Sequence, residues 1–185
     1  RKHLPLETKH VLARDILAAL CHLHAQKPPL LHLDIKPANI LLVDGPRAKM
    51  GDFGMARFKA HHGELMSGAG AARGGTVLYA DPLQFDGDTA TTSMDVFSAA
   101  LSIYYLYFNR PPHDDSKYDS AEALLFAVRN GLRPRVDDAA RVKPAVPRAV
   151  VDLLVRMWAP DPAKRLAAMP ALEIFDAEVL HIKSV

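Results

Sequence analysis

His32-Leu33-Asp34-Ile35-Lys36-Pro37-Ala38-Asn39-Ile40-Leu41-Leu42 is the stretch whose reading decides the fold. It places a carboxylate, an ammonium and an amide at i, i+2 and i+5, behind a histidine and ahead of the apolar run Ile40 to Val43. The turn residues Asp44-Gly45-Pro46 follow, then a short segment from Ala48 to Met50 and the tripeptide Asp52-Phe53-Gly54. Gly and Pro between two short runs mark a tight turn, so the stretch reads as loop, strand, turn, strand. Asp52 is thereby reached across a hairpin from the loop that holds Asp34, Lys36 and Asn39.

Upstream, Leu12, Ile16, Leu20 and Leu23 recur at helical spacing within Lys9 to His24, which predicts one buried helix face ending before Pro28-Pro29. Downstream, Lys59 to Gly75 carries Gly63, Gly68, Gly70, Gly74 and Gly75 with no apolar period, the pattern of a long loop. Met94 to Asn109 is apolar almost all round, as expected of a central helix packed on every side. Ser120 to Arg129, Pro147 to Trp158 and Ala167 to Leu180 read as further helices between proline-bearing connections, and no internal repeat is apparent.

The chain has 185 residues, enough for one domain with a proper core. Its 49% hydrophobic and 24% charged residues are those of an ordinary globular protein, and a net charge of +2 points to neither nucleic acid nor an anionic membrane as partner. The single cysteine, Cys21, rules out an internal disulfide framework and reads as a small core residue in a reducing compartment. Phe97 to Phe108 is too short to cross a bilayer. The chain opens on Arg1 with no signal or transit pattern, so a fragment of a longer product is expected.

Taken together, the His32 to Leu42 stretch and Asp52-Phe53-Gly54 resemble the catalytic loop and metal-binding motif of eukaryotic-type protein kinases. The resemblance implies that Asp34 orients the substrate hydroxyl and accepts its proton. Lys36 would neutralise charge on the transferring phosphate, while Asn39 and Asp52 would supply oxygen ligands to Mg²⁺. Leu41 matches the apolar floor beneath the adenine ring, with strand core as its simpler reading. The Asp-x-Lys-Pro-x-Asn pattern resembles Ser/Thr rather than tyrosine kinases. ATP and Mg²⁺ are the implied cofactors and a protein the implied substrate.

Further matches run from about Leu4 to Leu180. Gly75-Thr76-Val77-Leu78-Tyr79-Ala80-Asp81-Pro82 is similar to the end of a kinase activation segment, where Thr76 would hydrogen-bond near Asp34 and Lys36. Asp95-Val96-Phe97-Ser98 resembles the start of the family's central helix, which makes Asp95 an anchor accepting backbone N–H bonds from the catalytic loop. Trp158-Ala159-Pro160-Asp161-Pro162-Ala163-Lys164-Arg165 resembles the closing motif of tyrosine-kinase-like and Raf-like kinases. The implied fold is mainly α: a kinase-like C-terminal lobe, a helical bundle whose short β-hairpin carries the catalytic and metal-binding loops. Residues 1–185 would form one C-lobe fragment, with its catalytic loop at 32–39, metal motif at 52–54 and activation segment at 52–83.

The sequence also departs from the family. Its first glycine is Gly45, so no Gly-rich loop precedes His32, and Lys2, Lys9 and Lys27 lie outside any strand of the phosphate-binding kind. The small N-terminal lobe is therefore expected to be absent from this stretch, and the isolated residues inactive or nearly so. Gly68, Gly70 and Gly74 read as loop glycines, His61-His62 as solvated loop, and Asp114-Asp115 and Asp137-Asp138 as surface turns. Leu33 replaces the arginine that usually pairs with a phosphorylated activation loop, leaving Ser67 as the plausible regulatory acceptor. Leu83 stands where a glutamate is usual, so Arg165 loses its ordinary partner. Asp81 is expected to take over, with Asp86 or solvent as alternatives. Ala100 replaces a common glycine and favours helix.

These features lead to a Ser/Thr protein kinase transferring the γ-phosphate of MgATP, with the kinase domain facing the cytosol. A catalytically inactive, kinase-like binding or scaffold module is the alternative. Neither nucleic acid nor membrane contact is expected of this segment.

Overall fold

The computed structural model describes residues 4–58, 77–85 and 89–181. The first helix, α1, spans Leu6–His24 and starts three residues before the apolar period suggests. Pro5 stands at its N-cap with φ −55°, and its carbonyl accepts the first helical bond, from the Lys9 N–H at 3.1 Å. Proline's fixed φ suits a helix start, where its missing N–H costs nothing. The apolar residues Leu12, Ile16, Leu20 and Leu23 all turn inward.

Two small antiparallel pairs follow. β1 (Leu30–Leu31) pairs with β4 (Arg57–Phe58), and β2 (Ile40–Val43) pairs with β3 (Arg47–Met50) in the register Ile40 to Met50 through Val43 to Arg47. Gly45, at φ +78°, makes the turn between β2 and β3, a conformation that a β-carbon disfavours. The β2/β3 hairpin is fixed to α1 by Asp15. Its carboxylate accepts from Arg47 Nε and Nη2 at 2.8 and 2.9 Å and from the Ala48 N–H at 2.9 Å.

The central helix, α2 (Thr92–Phe108), is buried at every position from Met94 to Tyr104. Ser98 and Ser102 sit inside this core because each hydroxyl donates to the carbonyl one turn back, Met94 O at 3.2 Å and Ser98 O at 3.0 Å. Asn109 ends the helix in the left-handed region, φ 54°. Around α2 pack Leu17 and Leu20 of α1, then Leu153, Leu154 and Met157 of α4 (Arg148–Met157), and Ala171 and Phe175 of the last helical stretch. Each large apolar side chain buried in this way contributes about 1.5–3 kcal/mol.

α3 (Ala121–Arg129) starts at Ser120, whose Oγ accepts from the Ala123 N–H at 3.2 Å. α5 (Ala168–Ile174) continues as a wider π-helical turn, Phe175–Val179. The expected Ala167 to Leu180 helix is thus regular only in its first half. Beyond Ile174 the Leu180 N–H reaches the Phe175 carbonyl at 3.1 Å, while Asp176 forms two bonds to Arg14 of α1, at 2.8 and 2.9 Å. Lys9 is fully buried, its Nζ donating at 2.9 Å to the Tyr107 carbonyl near the end of α2. Among the described residues no helix is long and apolar enough to cross a membrane. The architecture is the expected helical lobe with little sheet.

Candidate active site

The loop after β1 is bound to the core through a single side chain. Asp95, in the first turn of α2, is fully buried, and its two oxygens accept the His32 N–H and the Leu33 N–H, each at 2.8 Å. His24 Nε2, from the last turn of α1, lies 3.1 Å from the same carboxylate. Leu33 has φ 62°, in the left-handed region that costs a branched residue about 1–3 kcal/mol. Two charge-assisted bonds to Asp95 offset that strain. The anchoring role expected of Asp95 is therefore visible in the geometry, whereas His24 as its third contact had no signal beyond a histidine at a helix end.

From this anchored start the chain presents its polar groups within a few residues. Lys36 Nζ lies 3.0 and 2.7 Å from the two oxygens of Asp34. Pro37–Asn39 forms one 3₁₀ turn, which brings Asn39 back over Asp34. The buried Asn39 Nδ2 donates to the Asp34 carbonyl at 2.8 Å and to its Oδ2 at 2.9 Å. Asn39 Oδ1 faces away from these bonds, since both contacts use the amide nitrogen.

The hairpin returns Asp52 to this loop. The Gly51 N–H donates to the Asn39 carbonyl at 2.8 Å, and His32 Nε2 lies 3.0 Å from the Gly51 carbonyl. His32 Nδ1 accepts the Asp34 N–H at 3.3 Å, so the ring proton sits on Nε2 and is donated to Gly51. A β-carbon at Gly51 would stand 3.0 Å from Leu41 Cδ1, which keeps this crossing to glycine. Asp52 has φ 56° and is exposed, and the Gly54 N–H reaches its Oδ1 at 3.3 Å. The Phe53 ring lies 4.9 Å from His32.

Leu41 is 54% exposed and so is not strand core. Edge positions of a two-stranded hairpin have only one neighbour, and the inward-facing role falls to Ile40 and Met50. With Leu42, Phe53, Met55 and Phe58, Leu41 forms an apolar surface on the open side of the site.

The end of the 52–83 segment is fixed as expected. Arg165 Nη1 donates to Asp81 Oδ2, with the two side chains 2% and 0% exposed. The same guanidinium donates to the Ala159 carbonyl at 2.9 Å and lies 4.7 Å from the centre of the Phe97 ring. Asp81 also accepts the Leu83 N–H at 3.1 Å. Burial raises the Asp81 carboxyl above its ordinary range, and Arg165 opposes the shift. Thr76, Ser67, His61-His62, Asp86 and the Lys59 to Gly75 loop lie outside the described residues. Asp114, Asp137 and Asp138 pair with neighbouring Lys117, Arg135 and Arg110, as surface-turn carboxylates do.

A carboxylate bracketed by an ammonium and an amide, with a second carboxylate returned to the same loop by a hairpin, on a helical lobe, defines a protein kinase domain. Residues 1–175 match the protein kinase domain family, and the chain belongs to it. Its relatives are Ser/Thr kinases. It is 29% identical over 180 residues to receptor-interacting serine/threonine-protein kinase 1 of Homo sapiens, covering 91% of this chain and 26% of that protein. It is 32% identical over 149 residues to ankyrin repeat and protein kinase domain-containing protein 1 of Mus musculus, covering 80% of this chain and 20% of that protein. With serine/threonine-protein kinase mos of Gallus gallus the identity is 29% over 173 residues, 93% of this chain and 48% of that protein. The chain spans about a quarter or less of the length of the first two.

Proposed function

We propose that these residues form the large lobe of a Ser/Thr protein kinase that moves the γ-phosphate of MgATP to a protein hydroxyl. The observation that carries this reading is the bracketed Asp34, held by Lys36 Nζ at 2.7 Å and by Asn39 Nδ2 at 2.9 Å. Phosphoryl transfer needs little covalent help from the protein but many placed charges, so a fixed array of this kind is its main requirement.

Asp34 accepts the proton of the attacking Ser or Thr hydroxyl and aims its oxygen. Lys36 stands beside it to meet negative charge on the transferring group. Asn39 Oδ1 and the Asp52 carboxylate form a hard oxygen donor set, which fits Mg²⁺; that ion, when bound, supplies charge neutralisation at the phosphates. Asp52 is exposed and held by one backbone N–H, so its carboxylate is accessible to a cation. Leu41, 54% exposed beside the site, offers the apolar surface on which a purine ring would lie. The Ser/Thr preference follows the Asp34-x-Lys36 pattern together with the Ser/Thr kinase relatives. A cytosolic setting follows from the same class of substrate and nucleotide.

The test is MgATP binding and peptide phosphorylation by the full-length product that carries this chain, beside its Asp52→Ala variant. Transfer by the parent and its loss in the variant support the reading. No nucleotide binding and no transfer by the parent would instead make it a kinase-derived binding module.

A further inference from the structure

A cavity of about 510 Å³ opens at the C-terminal end of α2, away from the Asp34 loop, between the Arg110 to Tyr118 connection and Leu132 to Arg135. Its walls carry Arg110, Lys117, Arg133 and Arg135 against Asp114 and Asp115. Three of these cations already face carboxylates: Arg110 pairs with Asp138 at 2.6 and 2.8 Å, Arg135 with Asp137 at 2.5 Å, and Lys117 with Asp114 at 3.3 Å.

Arg133 differs. Among the described residues its guanidinium donates to backbone carbonyls alone, to Trp158 at 2.6 Å and to Val128 and Leu132 at 2.7 Å, and no carboxylate reaches salt-bridge distance. Burial, then the charge of Arg165, presses its pKa below the ordinary value. A buried cation without an anion is expensive to keep.

The same cavity is lined by His113, 7% exposed, whose Nε2 has no hydrogen-bond partner among the described residues. Burial, then the nearby Arg133 charge, holds this imidazole down to about 4, so it is neutral near pH 7. A phenyl ring would fill the position without stranding a polar atom, so the nitrogen is explained by something it can bond. An N–H and an unmatched guanidinium lining one cavity are the two donors that an oxyanion takes. The cavity shares Asp115 and Tyr118 with a smaller one of about 210 Å³ that includes Val77 and Leu78, at the end of the 52–83 segment. A polypeptide lying along that segment can therefore reach His113.

We propose that the cavity binds one oxyanion-bearing side chain, a carboxylate or a phosphate, of the protein being phosphorylated, with His113 Nε2 and Arg133 as its donors. This rests on the protein-kinase reading for the nature of the ligand. The carboxylate and phosphate sources share one chemistry and are separated by the test.

The test uses the full-length product and fluorescence anisotropy with degenerate Ser/Thr peptides that fix Glu, phosphoserine or Gln at one position, scanned along the peptide. At one position the parent should bind a Glu or phosphoserine set about tenfold more tightly than the Gln set, the range of one charge-assisted bond. Inorganic phosphate should compete. The His113→Phe variant, which keeps the ring volume, should lose the preference, and His113→Gln, which keeps a donor, should restore part of it. The tighter of the two acidic sets names the source. Equal binding of all three sets by the parent, or a preference that survives His113→Phe, overturns the proposal and leaves the cavity to water. Binding is read without turnover, so absence of phosphoryl transfer would sink the kinase reading while leaving this result interpretable on its own.

Discussion

The two carboxylates of the site live under opposite conditions. Asp34 belongs to a loop tied at every turn: Asp95 holds its start, Lys36 and Asn39 bracket its side chain, and the Gly51 N–H closes its end. Asp52 stands on the surface with one weak backbone contact at 3.3 Å, among apolar residues that face outward. The difference teaches that this lobe alone pre-organises the proton acceptor, whereas the metal-binding side keeps its freedom until nucleotide and ion arrive. Positions on the tied side should cost folding free energy when changed, and positions on the open side should cost activity only.

The largest break is expected at Asp34 itself. Asp34→Ala should lower peptide phosphorylation about 10³-fold, within the usual reach of a lost general base. Its urea midpoint should barely move, and a large fall in stability would blur the contrast by making Asp34 a structural residue. Next comes the pair that fixes the far end of the segment. Arg165→Leu strands a buried Asp81 and should cost about 3–5 kcal/mol in urea unfolding. A cost near zero would mean the pair is not closed in solution.

Asp95→Asn keeps the size of the anchor but not its charge, and should cost about 2 kcal/mol together with a lower kcat, since charge-assisted bonds are the stronger kind. Unchanged kcat would detach the anchor from the site. A smaller, pH-dependent effect belongs to Asp15, which fixes the hairpin. Burial pushes its carboxyl up, but Arg47 and the Ala48 N–H outweigh this, so the folded value lies below the ordinary 3.8. Its stabilisation is therefore complete above pH 3.8 and lost as pH falls through the lower folded value. Acid unfolding of Asp15→Asn should lack that component, and parallel curves for parent and variant would remove Asp15 as a tether. The smallest effect is expected on the open side, where Phe58→Ser at a position 63% exposed should stay within about 0.5 kcal/mol. A larger loss would show that the open face is packed.

How much of this was legible in the sequence follows the same division. The helices were readable because Leu12, Ile16, Leu20 and Leu23 keep a single phase, and the unbroken apolar character of Met94 to Tyr104 announced a helix without an exposed face. The loop-hairpin order was readable from Gly45 and its neighbours, and the shift of Arg165 to Asp81 from the absence of an acid at Leu83. Pairings between distant elements were not. Asp15 with Arg47, Lys9 with the Tyr107 carbonyl and His24 with Asp95 join residues whose separation carries no periodic signal. The β1/β4 pairing is two residues long and leaves no pattern, and the π-helical turn at Phe175 shows only in the Leu180 to Phe175 bond. Leu41 was misjudged as strand core because an apolar strand residue looks the same in sequence whether its face is covered or open.

The Asp81 to Arg165 contact also constrains how this chain can change over generations. Relative to the pattern it resembles, the acid has moved from position 83 to position 81. That move has no cheap intermediate: a sequence with acids at both places would confine two carboxylates beside one guanidinium, and a sequence with neither would leave Arg165 bare. Asp81 and Leu83 therefore travel as a pair. Restoring an acid at Leu83 should be tolerated only when Asp81 is neutralised in the same step, which makes the two positions a single inherited character rather than two independent ones.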